Sequence, residues 1–179
     1  MTEEVKDEII LEAKRLEEDC LYSANGHFAA SRSWARTNLI IGIATAILST
    51  IAAALAFADI SNLIVAGLAV IVTALAWITV VLNPGDKAAA HHNSGSGYNA
   101  LRSRVRFFSN VDSKGAVSDD ELIRVFNELS RHREELNSNA PQVSEKDYET
   151  AKRGIQMGQA SYVVDKTQGL PPSQGTSTN

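Results

Sequence analysis

LIIGIATAILSTIAAALAF, Leu39 to Phe57, and LIVAGLAVIVTALAWITVVL, Leu63 to Leu82, decide the fold of this chain. Neither stretch contains Asp, Glu, Lys, Arg or His, and only Ala58-Asp59-Ile60-Ser61-Asn62 separates them. As helices each is roughly 28 to 30 Å long, the thickness of a bilayer's hydrocarbon core. The pair reads as a transmembrane hairpin. Core helices of a soluble bundle are the alternative, but such helices keep a polar stripe and these have none.

Within the hairpin the side chains sort by size. Gly42, Ala46, Ser49, Ala53 and Ala56 recur at helical spacing on the first span, while Ile40, Ile43, Ile47, Ile51 and Leu55 occupy another face. On the second span Ala66, Ala69, Thr73 and Ala76 repeat the small stripe. Small faces let membrane helices approach closely and gain dispersion contacts that lipid cannot drive by itself. The stripes either seal the two helices of one subunit or serve contacts between subunits. Thr45, Ser49, Thr50 and Thr73 either line a weakly polar path or bond their own helix backbones.

Orientation follows from basic residues. Lys14, Arg15, Arg32 and Arg36 precede the first span, Lys87, Arg102, Arg104 and Arg106 follow the second, and the connecting turn has none. This pattern predicts an inner-membrane protein with both termini cytoplasmic. Trp34 and Arg36 outside the first span, and Trp77 inside the second, are candidate interface anchors. The acidic opening Met1-Thr2-Glu3-Glu4 predicts no cleavable signal peptide.

The chain has 179 residues, of which 44% are hydrophobic and 21% charged. Since its pI is near 5.6 and its mean hydropathy is slightly negative despite the spans, the remainder is strongly polar. That size accommodates a membrane module with an attached helical part, not a further enzyme domain. We expect four regions: a cytosolic amphipathic helix and interface over residues 1–38, the hairpin over 39–82 (spans 39–57 and 63–82), a cytosolic helical region over 83–160, and a flexible tail over 161–179. Gly, Pro, Ser, Thr, Gln and Asn dominate the last of these. The fold class is thus an all-α membrane protein, its hairpin joined to a bundle of the N-terminal and C-terminal helices.

Val5, Ile9, Ala13, Leu16, Cys20, Ala24 and Phe28 fall at spacings of three and four, marking an amphipathic helix after a Thr2 cap. Its acidic polar face favours packing against other helices over lying on a membrane. Gly26 and Ser31-Arg32-Ser33 predict a bend, with a continuous helix as the alternative. Beyond the hairpin, Asn83-Pro84 closes the second span, and Pro84 suits the start of a new helix. Tyr98, Leu101, Val105 and Phe108 form its inward stripe, which Ser94-Gly95-Ser96-Gly97 weakens. After a loop over 111–117, Ser118-Asp119-Asp120-Glu121 is a capping box. Leu122, Val125, Phe126 and Leu129 point inward from the helix it opens. Asn137 to Pro141 ends that helix, and Ser144 caps another with Tyr148, Ala151 and Ile155 inward.

Motifs for catalysis or cofactors are lacking. There is no Walker loop, dinucleotide fingerprint or HExxH, and Gly95-Ser96-Gly97 is no nucleophile elbow. Cys20 stands alone and reads as a small apolar contact. His91 and His92, being adjacent, point to different sides of a helix and cannot share one metal in the usual manner; packing or hydration near the membrane surface suits them better. Arg102 and Arg106, four apart, read as a solvated face, with lipid phosphate or a phosphorylated ligand as the alternative. We therefore expect no enzyme activity, no cofactor and no nucleic-acid partner.

Taken in order, Leu21-Tyr22-Ser23-Ala24, His27-Phe28, the closely spaced hairpin, Asn83-Pro84, His91, Tyr98, Leu101 and Asp147-Tyr148-Glu149-Thr150-Ala151-Lys152-Arg153-Gly154-Ile155 make a pattern that resembles the SLATT family over residues 1 to about 165. These are two-transmembrane effectors associated with nucleotidyltransferase and SLOG conflict systems in bacteria. The resemblance implies an oligomeric, pore-forming or membrane-perturbing effector in antiviral defence. Its partners would be the lipid bilayer, further copies of itself and a nucleotide-sensing or nucleotide-synthesising protein. Unlike in larger effectors, no fused sensor domain is expected here. The other class of function is a membrane-anchored adaptor, whose hairpin tethers a protein-binding helical module.

Overall fold

The computed structural model describes residues 3–58, 61–111, 113 and 118–162. Among these residues the protein is all-α, with no strand. Five helices follow in order: α1 Glu3–Phe57, α2 Asn62–Leu82, α3 Pro84–Asn110, α4 Asp119–Asn139 and α5 Glu145–Gln156. They divide between two compact units, one of Met1–Ala30 with Ala90–Asn179 and one of Ser31–Ala89. The Thr2 cap, Asp59 and Ile60 of the hairpin turn, most of the 111–117 loop and nearly all of the 161–179 tail lie outside the described residues.

The first unit is a bundle built on amphipathic faces. Ala13, Leu16, Cys20 and Ala24 of α1 meet Tyr98, Leu101, Val105 and Phe108 of α3 and Leu122 and Leu129 of α4 in one core. Ile9, Phe28, Val125 and Phe126 pack around them. Burying each large apolar side chain contributes about 1.5 to 3 kcal/mol, so the three-and-four spacing of these residues specifies which helix faces meet. Val5 remains 47% exposed, because the stripe outruns its partners at that end.

Helix starts follow the capping residues. The Ser118 hydroxyl accepts from the Glu121 amide at 3.3 Å. The Glu121 carboxylate, however, turns to Arg124, leaving the reciprocal half of the capping box unmade. Ser144 accepts from the Asp147 amide at 3.2 Å and donates to the Asp147 carboxylate at 2.6 Å. Asp147 itself is buried. Ala151 is buried as its spacing requires, but Tyr148 is 43% exposed, correcting its expected inward placement.

Two expected weak points are helical. α1 is helical throughout Gly26 and Ser31-Arg32-Ser33, so the alternative of a continuous helix holds there. A glycine in a helix costs about 1 kcal/mol, and here tertiary contact outweighs it. Gly26 is buried, and a Cβ there would lie 3.6 Å from a Val143 methyl. α3 likewise continues through Ser94-Gly95-Ser96-Gly97. A Cβ on Gly95 would come within 2.9 Å of the Phe28 ring and 3.2 Å of the Ala24 carbonyl, and one on Gly97 within 2.8 Å of Leu136. These glycines set how closely α3 approaches α1 and α4.

In the second unit, the end of α1 and α2 form the hairpin, and the first turn of α3 closes its base. None of the most apolar 18-residue window of either span is buried. Asn83, in the left-handed region at φ 43°, ends α2 with its amide bonded to the Thr79 carbonyl. Its own carbonyl accepts from Lys87 at 3.2 Å, so one residue terminates α2 and opens α3, with Pro84 at the first position where no amide is needed. At the base Ser31 donates to the Ala88 carbonyl at 2.9 Å, and Lys87 Nζ sits 4.5 Å from the Trp34 ring centroid.

Candidate functional site

The hairpin surface carries most of the residues singled out from the sequence. Ile41, Ala44, Thr45, Leu48, Ala52 and Leu55 of α1, and Val65, Leu68, Val72, Leu75 and Thr79 of α2, are half-buried at spacings of three and four. These positions form the contact within the hairpin. By contrast Gly42, Ala46, Ser49, Ala53 and Ala56, and Ala66, Ala69, Thr73 and Ala76, are all exposed. The small stripes therefore do not seal the two helices of one chain. A Cβ on Gly42 would meet nothing within 4 Å.

Hydroxyls on the spans are spoken for. Thr45, Ser49, Thr50 and Thr73 donate to the carbonyls four residues earlier at 2.8 to 2.9 Å. In a medium that offers no water, each hydroxyl bonds the only acceptor within reach. Trp77 is 67% exposed, Arg36 is exposed and Trp34 is half-buried under Lys87.

A second constellation, which the sequence did not reveal, lies within the helical bundle. His27 of α1 and His91 of α3 are each 4% exposed, and their Nδ1 atoms approach to 3.0 Å. One ring donates and the other accepts, so the accepting ring must be neutral, and two neutral rings in complementary tautomers satisfy the contact. Tyr98 stacks on His27 with centroids 5.5 Å apart, while its hydroxyl donates to Asn137 of α4 at 2.6 Å. Burial, then the neighbouring His91, pushes the His27 pKa down to about 4. Burial also lowers that of His91, against the opposing pull of Asp147. His92 packs instead against Phe28, so the adjacent histidines do diverge. Only placement gave His27 away. It sits three residues after Ala24 on the buried stripe, where a polar side chain needs a partner.

Arg102 is not on a solvated face. It is 6% exposed, and its Nε lies 3.6 Å from a Glu17 carboxylate oxygen without a hydrogen bond of its own. Burial holds the Glu17 pKa above its ordinary value, outweighing the pull of Arg102 and Arg106. Arg106 stacks on Tyr162 at 4.4 Å. Burial likewise pushes the Cys20 thiol up to about 12, which keeps it protonated and unreactive. Among the described residues, no group of three or more His, Cys, Asp or Glu side chains is placed to hold a metal ion.

The bundle also has an open groove between α3 and α4, of about 580 Å³, with Phe107 57% exposed along it and Arg104, Arg131, Glu128 and Glu135 around it. No curated protein and no solved structure matches the chain. The family model of the SMODS and SLOG-associating 2TM effector domain, family 4, matches residues 20–166, two apolar helices included. With that match over most of its length, this membrane protein belongs to the SMODS and SLOG-associating 2TM effector family.

Proposed function

We propose that the chain is the membrane-perturbing effector of a nucleotide-signal-linked bacterial antiviral defence system. It acts as a homo-oligomer in the inner membrane, with both termini and the helical bundle in the cytoplasm. The observation that carries this reading is the exposure of the small-residue faces on both spans. The hairpin uses other residues for its own contact, so these faces are open to a neighbouring copy. Because Ser49 and Thr73 are exposed on the outside of the hairpin, a conducting path lined by them would form between subunits rather than within one. A nucleotide-sensing or nucleotide-synthesising protein supplies the trigger.

The test compares Ala46→Leu and Ala53→Leu with Ile43→Leu and Ile51→Leu, reading the mass of the detergent-solubilised complex and membrane depolarisation in cells. Overpacking a close interface costs about 1 to 3 kcal/mol, whereas shape changes at constant volume cost less than about 1.5. The alanine variants should disperse the complex and abolish depolarisation while still inserting; the isoleucine variants should do neither. An undiminished complex in Ala46→Leu would remove the small face from assembly. Cysteines at Ser61 and Ser138, in a Cys20→Ala background, should label from outside and from inside respectively; Ser138 labelling from outside in intact cells would reverse the orientation.

The groove between α3 and α4 favours a second reading, an adaptor whose hairpin is only a tether. Discrete oligomers that never permeabilise membranes, even beside the genomic neighbours, would select it.

A further inference from the structure

We propose that the His27–His91 pair is a proton-sensitive clasp that holds α1 to α3 while both rings are neutral and releases that contact as the pair takes up protons. The inference does not depend on whether the hairpin conducts. Its basis is the 3.0 Å approach of two Nδ1 atoms on rings that are each 4% exposed. At that distance only one nitrogen can carry a hydrogen toward the other. A first added proton keeps one shared hydrogen but places a charge where water is nearly absent. A second sets two N–H groups of like charge against each other, and the contact cannot persist.

Position gives the clasp its reach. His27 is three residues before the end of the α1 segment of this unit, and His91 is the second residue of its α3 segment. Within this unit it is thus the polar contact between α1 and α3 nearest in sequence to the hairpin, the next one, Ser31 to the Ala88 carbonyl, belonging to the hairpin's own base. His27 also lines a cleft of about 380 Å³ with Glu18, Asp19 and Arg133, which gives protons a route to the pair.

The surrounding charges are few. On α1 the thiol of Cys20 is protonated, and from α3 Tyr98 presents a neutral ring. Arg133 of α4 is held by Asp19 at 2.7 Å, so its charge at the cleft is largely matched. Asp147 of α5, bonded to Ser144, favours a charge on His91 and, among the described residues, is the carboxylate pulling the pair toward protonation.

The sign follows from linkage. A released histidine takes up its proton near pH 6.5 and the clasped His27 only near 4, so the clasp is complete above about 6.5, weakens as pH falls, and loses no more below about 4. At pH 5 His27 alone shifts the equilibrium toward release by about 30-fold.

Hydrogen exchange read by mass spectrometry on the full chain in detergent, at pH 7.5 and pH 5.0 with times scaled for intrinsic exchange, tests this. Amides over residues 22–30 and 88–97 should lose about 30-fold in protection at pH 5.0, with those over 122–135 changing less than about threefold. The double variant His27→Gln with His91→Gln keeps a donor and an acceptor but has no proton to gain, and its protection should be equal at both pH values. Unchanged protection in wild type, or an acid response that survives in the double variant, would overturn the clasp. If the double variant does not fold, site-assigned histidine nitrogen NMR on wild type decides: rings neutral at pH 5.5 support the clasp, and titration of either near 6.5 refutes it.

Discussion

One helix, α1, supplies small residues to both units of the molecule, and the two use them in opposite ways. In the bundle Ala13 and Ala24 are buried, and Gly95 of α3 stands where a single added carbon would strike the Phe28 ring. In the hairpin Gly42, Ala46 and Ala53 are exposed, and a carbon added to Gly42 meets nothing. Water forces the difference in the first case: the hydrophobic effect drives helices together until the smallest side chains limit their approach. Lipid exerts no such force, so a small face in the membrane stays open until a matching surface arrives. The comparison teaches that small-residue periodicity marks a capacity for close approach, not the identity of what approaches.

The contrast is sharpest in the core. Phe108→Ala, at a side chain 1% exposed, should cost the bundle about 3 to 5 kcal/mol in urea unfolding of the detergent-solubilised protein, while membrane insertion of the hairpin is unchanged. A matched pair of glycines comes next. Gly95→Ala should cost about 1 to 3 kcal/mol by overpacking, the Ala24 carbonyl being unable to swing aside. Gly42→Ala should cost nothing measurable in the same assay; a loss comparable to that of Gly95→Ala would show that the hairpin face is already packed. The smallest effect concerns pH. Burial raises the Glu17 pKa in the folded state, so its contribution is full below about 4.5 and is lost as pH rises through the folded value. Glu17→Gln should remove that decline from the stability profile, and a decline that persists would assign it to another group.

How much could be read in advance differs by the kind of signal. Apolar periodicity located the core: Tyr98, Leu101, Val105 and Phe108 lie where spacings of three and four place them, because burial rewards each residue in the same way. Local propensity misled at Gly26 and at Ser94-Gly95-Ser96-Gly97. A weak helix former loses about 1 kcal/mol locally, and the packing it permits between helices exceeds that. Tyr148, expected inward, lies exposed while its neighbour Asp147 is buried, a placement that hydropathy alone does not indicate.

The sequence by itself determined that two uncharged stretches of membrane-spanning length form a hairpin, that amphipathic helices flank it, and that Asn83-Pro84 turns one helix into the next. Each follows from a property carried along the chain: length, period or a residue's own dihedral limits. Tertiary structure alone decided that Arg102 is buried beside Glu17, that His27 meets His91 across 64 positions, and that the small stripes face away from the hairpin's own contact. Those outcomes depend on how one helix is rotated against another. Rotation is fixed by the sum of many packing contacts, and no single residue records it.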